Sequence, residues 1–318
     1  MGYLKEKVDE LYAYRPPLTK QPDFDAFWSD TVARTKKQPL HPQRKRAAYP
    51  SPFVTVYDIR YHGFDETPIY GWLILPTFLK KETYPCLINY HGFTNSRGFP
   101  SNFMMWITMG IAVLSVDCRE QGGETGNCAR YTQGGQFLNV TAKGLMDNNE
   151  YYYRAVYMDC LKAIDFAESC AEIDRTQIIL HGVSQGGALG MAVAALDHRP
   201  AQSVVDVPSN SNIEKRVESA TGSFASVTQY LKRYPERMEQ IYRTLSYFDT
   251  MNLADRIQCP VYASVCLKDQ TCPAKLYFAT YNRIQSPKQI TIYPFHDHGD
   301  AGDIHMEKKL AYINKSGI

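Results

Sequence analysis

Hydrophobic and polar positions alternate in the first part of the chain in a way that is typical of β-strands. Residues 53–61 alternate, residues 63–66 carry turn-forming types, and residues 68–75 supply a second apolar stretch. This arrangement predicts an N-terminal β-hairpin. Residues 1–50 are predicted to form a polar helical arm, in which Arg44-Lys45-Arg46 is interpreted as a solvated turn.

The pattern changes after residue 84. Glycine-rich turns and helical stretches now separate short apolar segments, which are residues 86–90, 111–116, 178–181 and 261–267. This alternation predicts an α/β protein whose mostly parallel central sheet has helices on both faces. Residues from about 206 to 259 are polar and amphipathic, and we interpret them as a helical cap inserted over the strand ends. One domain over residues 1–318 is expected, since α/β enzymes of this length often form a single unit.

A sharp turn with a central serine follows one of these strands. Gly182-Val183-Ser184-Gln185-Gly186 matches G-x-S-x-G, with a β-rich segment before it and a small-residue helix after it. Strand, elbow and helix in this order are typical of the α/β-hydrolase fold, with the serine as nucleophile. Gly182 and Gly186 fit a turn in which larger side chains would collide. The alternative is that these glycines only make a turn.

A nucleophilic serine needs a histidine to accept its proton and a carboxylate to orient that histidine. Asp269 follows the strand predicted at 261–267 and is the candidate acid, although capping the helix that begins nearby is its alternative role. The loop after the last predicted strand, 289–293, contains His296 and His298, and either could reach Ser184. His305 falls in the final helical region and is interpreted as a surface or packing residue.

Two backbone N–H groups are expected to form an oxyanion hole. Tyr90, at the end of an early strand and before His91-Gly92, is one candidate, and Gln185, directly after the nucleophile, is the other. His91 is interpreted as structural and not as a second base.

Composition excludes several other classes of protein. Hydrophobic residues make up 44% and charged residues 21%, and the formal net charge of +2 is spread along the chain, so no nucleic-acid partner is predicted. The charged N-terminus and the lack of a long apolar run predict neither a signal peptide nor a membrane span, and hence a cytoplasmic protein. The eight cysteines form no C-x-x-C pair, which favours reduced thiols over a structural zinc site.

The motifs together resemble the acetyl xylan esterase and cephalosporin C deacetylase family, carbohydrate esterase family seven, over nearly the whole chain. The residues that carry the resemblance are Leu18-Thr19-Lys20, residues 23–28, Tyr90-His91-Gly92, residues 119–123, Lys143-Gly144, residues 151–154, residues 182–187, residues 248–254 and Asp269. The resemblance implies an esterase that removes acetyl groups from acetylated xylo-oligosaccharides and from the antibiotic cephalosporin C. It implies neither a metal nor an organic cofactor. It also implies a ring-shaped homohexamer, and it selects His298 as the catalytic histidine.

Three departures from the family pattern stand in this sequence. The family's Arg-Gly-Gln, which implies a supporting role for Arg119 and Gln121, contains Glu120 here, and the residue after His298 is Gly299 instead of glutamate. Val207-Pro208-Ser209 lacks the family's aromatic residues around the proline, so the acyl pocket is expected to differ in width.

Other functions are also compatible with the motifs. An α/β-hydrolase could act on other short-chain acyl esters, or on peptides, although a dienelactone hydrolase would more naturally have cysteine at position 184 and a prolyl oligopeptidase usually carries a propeller domain. A catalytically inactive binding protein would require a broken triad.

Overall fold

A nine-stranded sheet forms the centre of the part of the chain that the structure describes. The computed structural model describes residues 2–132, 138–299 and 301–317. The strands are β1 (Gln43–Ala47), β2 (Val54–His62), β3 (Pro68–Pro76), β4 (Tyr84–Tyr90), β5 (Ala112–Val116), β6 (Ile173–Val183), β7 (Gln202–Asp206), β8 (Val261–Cys266) and β9 (Lys288–Tyr293). Their order across the sheet is β1-β2-β3-β5-β4-β6-β7-β8-β9. Strands β4 to β9 are parallel, and β1 to β3 join them through antiparallel pairs.

Helices pack on both faces of this sheet. They are α1 (Gly2–Ala13), α2 (Phe24–Lys37), α3 (Met104–Thr108), α4 (Tyr152–Ser169), α5 (Gln185–Leu196), α6 (Ile213–Glu218), α7 (Ala225–Arg233), α8 (Met238–Ser246), α9 (Thr250–Leu253), α10 (Ala274–Tyr281) and α11 (Gly302–Lys315). Helices α6 to α9 lie in the insertion between β7 and β8. None of the helices in the described residues is long and apolar enough to cross a membrane. The sheet and its helices confirm the predicted α/β-hydrolase fold.

The central strands are buried on both faces, which explains their continuous apolar runs. In β4, Cys86 and Ile88 belong to the larger apolar cluster, together with side chains of α2, α4, α5 and α10. Leu87, between them, belongs to a second cluster with side chains of α3 and α11. Successive residues of a strand point to opposite faces, so this alternation assigns one cluster to each side of the sheet.

The predicted hairpin is confirmed, but the interpretation of Arg44-Lys45-Arg46 as a turn is wrong. β2 and β3 pair antiparallel, and the three basic residues lie in β1, the strand at the edge of the sheet. The guanidinium of Arg44 stacks on the Tyr57 ring and binds Glu172 at 2.9 Å. Charged side chains are common on edge strands because one edge and one face remain in solvent, and such strands lack the apolar alternation that identifies buried strands.

A buried ion network lies at the end of β7, directly behind the serine turn. The Asp206 carboxylate accepts hydrogen bonds from Lys309 Nζ at 2.6 Å and from Ser264 Oγ at 2.9 Å, and it lies 2.7 Å from His305 Nε2. Burial alone would raise the pKa of Asp206, but the charge of Lys309 and the contact with His305 hold it well below its usual range. The main-chain carbonyl of Asp206 accepts the N–H of Ser184 at 2.8 Å. The network therefore stabilises the strand end that supports the serine.

Replacing Lys309 with methionine should lower the free energy of unfolding by about 3 kcal/mol or more, because the buried Asp206 carboxylate loses its cation. A carboxylate with a lowered pKa stabilises the fold above the ordinary aspartate pKa of about 3.9 and loses this effect as the pH falls. Without Lys309 the carboxyl group can protonate more easily, so the difference between variant and wild type should shrink from pH 7 to pH 4. Urea denaturation followed by circular dichroism measures both effects.

The matched control is Lys308→Met, which removes an exposed cation from the same helix. Lys308 lies over the Tyr293 ring at 4.9 Å, an exposed contact worth about 1 kcal/mol at most. Equal losses in the two variants, or a loss at Lys309 that does not change with pH, would contradict the role assigned to the buried ion pair.

Candidate active site

Ser184 sits in a strained turn between β6 and α5. Its backbone has φ 59° and ψ −116°, a conformation that residues other than glycine rarely adopt. A Cβ on Gly182 would lie 2.3 Å from the carbonyl carbon of Gly186, and a Cβ on Gly186 would lie 1.9 Å from the carbonyl oxygen of Tyr90. Both positions therefore require glycine, and the turn has the geometry that was predicted for a nucleophile.

Asp269 and His298 are brought together by the loops after β8 and β9. Asp269 Oδ2 lies 2.7 Å from His298 Nδ1, and because an ionised carboxylate can only accept hydrogen bonds, Nδ1 carries the proton. Asp269 Oδ1 accepts the backbone N–H groups of Thr271 at 2.8 Å and Cys272 at 2.7 Å. Oδ2 thus faces His298, while Oδ1 holds the loop before α10 and does not cap that helix, whose N-cap residue is Pro273. His298 Nε2 is left to accept a proton.

The structure distinguishes His298 from the other histidines near the C-terminus. His296 packs against the Tyr293 ring at 5.1 Å, and its carbonyl accepts the N–H of Lys268. His305 is buried beside Asp206, as a packing residue. Neither lines the cavity that contains Ser184, whereas His298 does.

The loop after β4 carries the first oxyanion candidate. The side chain of Tyr90 is fully buried and its hydroxyl donates to the Cys160 carbonyl at 2.8 Å. His91 Nδ1 contacts the Gly92 carbonyl at 2.7 Å, and its Nε2 accepts the N–H of Cys118 at 2.8 Å. Both nitrogens of His91 are therefore engaged with the backbone, which fits the structural role predicted for it. The loop is held rigidly beside the elbow.

Gln185, the second oxyanion candidate, is the first residue of α5, where backbone N–H groups have no partner within the helix. Its side-chain oxygen accepts hydrogen bonds from Gln121 Nε2 and from the Tyr153 hydroxyl, both at 3.0 Å. Gln121 Oε1 in turn accepts the N–H of Thr94 at 2.9 Å. Gln121 thus connects the helix start at the nucleophile to the loop after β4.

Arg119 forms a buried brace behind this region. Its guanidinium binds both oxygens of Asp159, at 2.6 and 2.7 Å, and also contacts Asp65. Glu120, which departs from the family pattern, forms an ion pair with Lys143 and does not disturb the Arg119 pairs. The added carboxylate is therefore neutralised locally. Arg119 acts through its neighbours and does not line the cavity.

Ser184 and His298 face a common cavity of about 560 Å³. Gly299, next to His298, has φ 82°, and no atom lies within 4 Å of the position that a Cβ would take. Glycine adopts this backbone conformation more easily than the glutamate of the family pattern would. Ser209, in the segment that departs from the family pattern, is part of the wall. The residues lining the cavity are Gly92, Phe93, Asn95, Asn139, Val183, Ser184, Gln185, Ser209, Arg216, Gly222, Ser223, Thr271, Cys272 and His298.

A family model matches almost the full chain. The model described as acetyl xylan esterase (AXE1) matches residues 1–316. The chain belongs to the acetyl xylan esterase family. It is accordingly an esterase, and the resemblance drawn from its motifs is confirmed.

Individual relatives support the membership in this family. The chain is 28% identical over 305 residues to the acetyl esterase Axe7A of Xylanibacter ruminicola, which covers 92% of this chain and 67% of the relative. An acetyl xylan esterase from Paenibacillus sp. R4 is 38% identical with a TM-score of 0.93, covering 97% of this chain and 99% of that one. Acetyl xylan esterase 1 from Thermoanaerobacterium sp. JW/SL YS485 is 28% identical with a TM-score of 0.88, covering 96% and 98%.

Several residues of the cavity were not predicted from the motifs of the acetyl xylan esterase family, and two of them lie close to Ser184 or carry a charge. Cys272 Sγ lies 3.7 Å from Ser184 Oγ, and burial raises the pKa of this thiol, so it stays neutral beside the serine. Arg216, from α6, enters the cavity from the insertion. Cys272 could have been suspected from its distance of three residues from Asp269. Arg216 is one of several cations in an amphipathic segment, and nothing in the sequence distinguishes it from the exposed ones.

Proposed function

We propose that the protein is a serine esterase that removes acetyl groups from acetylated xylo-oligosaccharides and related small acetyl esters of the cephalosporin C type. Ser184 is the nucleophile, His298 the base and Asp269 the orienting acid. The observation that carries this proposal is the 2.7 Å contact between Asp269 and His298 at the cavity that contains Ser184.

In the first half of the reaction, His298 Nε2 takes the proton of the Ser184 hydroxyl while the oxygen attacks the acetyl carbonyl carbon. The carbonyl oxygen becomes an anion that the N–H groups of Tyr90 and Gln185 stabilise. One such donor is typically worth about 100- to 1,000-fold in rate. The protonated His298 then gives its proton to the sugar oxygen as the ester bond breaks, and the acetyl group remains on Ser184.

In the second half, water attacks the acetyl group on Ser184 and His298 takes a proton from this water. The same two N–H groups hold the new oxyanion. His298 returns the proton to Ser184 Oγ, and acetate leaves. Asp269 keeps the proton of His298 on Nδ1 throughout, so that Nε2 faces the reacting atoms.

The lining of the cavity supports a small polar substrate. Asn95, Asn139 and Ser223 offer amide and hydroxyl groups suited to sugar hydroxyls, and Phe93 offers an aromatic ring. A volume of about 560 Å³ is in the range of small-molecule sites. The names of the relatives, acetyl xylan esterases and an acetyl esterase, point to the same acyl group.

A second candidate is an esterase for other short-chain acyl groups. Ser209 favours it, because a small hydroxyl side chain lines the cavity in the segment where the resemblance implies aromatic residues around the proline. A larger acyl pocket would accept a few additional methylene groups. The expected homohexamer and cytoplasmic location remain predictions from the resemblance and from the N-terminal sequence.

A panel of substrates tests the proposal. We expect kcat/KM for acetyl esters, among them acetylated xylobiose and cephalosporin C, to exceed that for the matching butyryl esters by about 10-fold or more. A single methylene in a fitted pocket changes binding by about 1 to 3 kcal/mol, and the butyryl group has two more than the acetyl group. Peptides should not be hydrolysed. Equal rates on acetyl and butyryl esters would favour the second candidate, and hydrolysis of peptides alone would overturn both.

A further inference from the structure

Arg216 is a buried cation one side chain away from the nucleophile. It is 2% exposed, and its Nη2 donates to the Thr271 carbonyl at 2.9 Å and contacts Cys272 Sγ at 3.5 Å. Cys272 Sγ in turn lies 3.7 Å from Ser184 Oγ. The guanidinium and the nucleophile thus flank the same thiol and line the same cavity.

No carboxylate in the described residues forms an ion pair with Arg216. Its Nε is buried, and within the same part of the chain no hydrogen-bond partner reaches it. Asp269 shares the neighbours Thr271 and Cys272, but its oxygens are occupied by their two N–H groups and by His298. Burying a cation without a partner is costly, so such groups in a cavity are candidates for binding an anion.

The surroundings of Arg216 leave this charge available to the cavity. Gly222 adopts φ 56°, and a Cβ there would lie only 3.3 Å from Arg216 Nη2 and 3.0 Å from the Thr271 carbonyl oxygen. The Phe224 ring covers the guanidinium from one side, with its centroid 5.7 Å from Cζ. The small side chain of Ser209 lines the cavity as well. The guanidinium is therefore held in a fixed place through Nη2, and Nη1, which forms no hydrogen bond within the described residues, is the donor left to the cavity.

We propose that Arg216 is a specificity-determining residue that binds a carboxylate of the substrate close to the ester that Ser184 attacks. The inference rests on the proposed function for the esterase chemistry and deepens it, because it states that substrates with a carboxylate near the ester are preferred. A carboxylate matches this guanidinium best, because it accepts a charge-assisted hydrogen bond from Nη1 and supplies the negative charge that Arg216 lacks among the described residues. The carboxylate can belong to the acyl group, as in a half ester of a dicarboxylic acid, or to the sugar, as in an acetylated uronic acid.

Pairs of esters that differ only in the carboxylate test the proposal in the purified full-length protein. One pair compares 4-nitrophenyl butyrate with the 4-nitrophenyl half ester of succinic acid, and the other compares an acetylated methyl glucoside with the matching acetylated methyl glucuronoside. For the pair that contains the true source, Arg216→Met should lower the ratio of acidic to neutral kcat/KM by about 10- to 100-fold, the usual range for a hydrogen bond to a charged group. Arg216→Lys should retain part of the ratio, because the cation remains but the fork is lost.

Lys215→Met is the matched control, because it removes an exposed cation from the same helix, and it should leave both ratios unchanged. Binding provides a readout that does not depend on turnover: Ser184→Ala should bind monomethyl succinate at least 10-fold more tightly than dimethyl succinate, or glucuronate at least 10-fold more tightly than glucose, and the double variant with Arg216→Met should lose this difference. If Arg216→Met does not fold, the lysine variant and these binding measurements decide the question.

The outcomes separate this inference from the proposed function. If Arg216→Met lowers the rates on acidic and neutral esters equally, or leaves both ratios unchanged, Arg216 is a structural residue that holds the Thr271 loop, and the inference is overturned. If the wild type hydrolyses no neutral acetyl ester, the proposed function itself fails, whatever the ratios are.

Discussion

Replacing Ser184 with alanine should lower kcat for an acetyl ester by on the order of 10⁵- to 10⁶-fold. The hydroxyl is the only group at the elbow that can form the acyl intermediate, and the remaining N–H groups stabilise charge but form no covalent bond. Alanine keeps the Cβ, so the strained backbone at φ 59° is retained and the fold should be preserved. Steady-state rates with 4-nitrophenyl acetate and thermal unfolding of the same samples provide the two measurements.

Ser101→Ala is the control for this experiment, because Ser101 is exposed and lies outside the cavity. Its rate and unfolding temperature should match those of the wild type. Substantial activity in pure Ser184→Ala protein would remove this serine from the mechanism. An inactive wild type would instead favour a hydrolase-like binding protein.

Replacing Asp269 with asparagine should lower kcat by about 10⁴-fold with a small change in KM. The amide oxygen can still accept the N–H groups of Thr271 and Cys272, as Oδ1 does now. The amide nitrogen then faces His298 Nδ1 and donates to it, which forces the histidine proton onto Nε2. In this tautomer Nε2 cannot accept the proton of Ser184.

Because the amide oxygen of the asparagine still holds the loop, the unfolding temperature should change little, in contrast to kcat. Asp30→Asn, at an exposed position of α2, controls for the loss of one negative charge. A decrease in kcat of less than about 10-fold at Asp269 would show that another group orients His298. A decrease that accompanies a large fall in unfolding temperature would assign Asp269 mainly to its loop-holding role.

The sequence alone was informative where local patterns dictate local structure. Five residues were enough to predict the elbow, because the steric requirement for its two glycines is local. The central strands could be predicted because burial on both faces produces continuous apolar runs. β1 was missed for the opposite reason. Its charged residues face solvent on the sheet edge, where the usual alternation is absent.

The tertiary structure decided the contacts between segments that are distant in the chain. The residues alone did not show whether His296 or His298 is the partner of Asp269. In the structure, the loop after β9 brings His298 to Asp269 and leaves His296 packed against Tyr293. The fold likewise selects Arg216 from the many scattered cations, because its burial and its lack of an ion-pair partner among the described residues depend on tertiary packing and not on neighbours in sequence. The amino-acid sequence thus determined the nucleophile turn, the class of fold and the family, which follow from short-range sterics and hydrophobic patterning. The contacts between side chains across the cavity were determined only by the tertiary structure. They depend on how the loops pack, and the whole sheet fixes the positions of the loop ends.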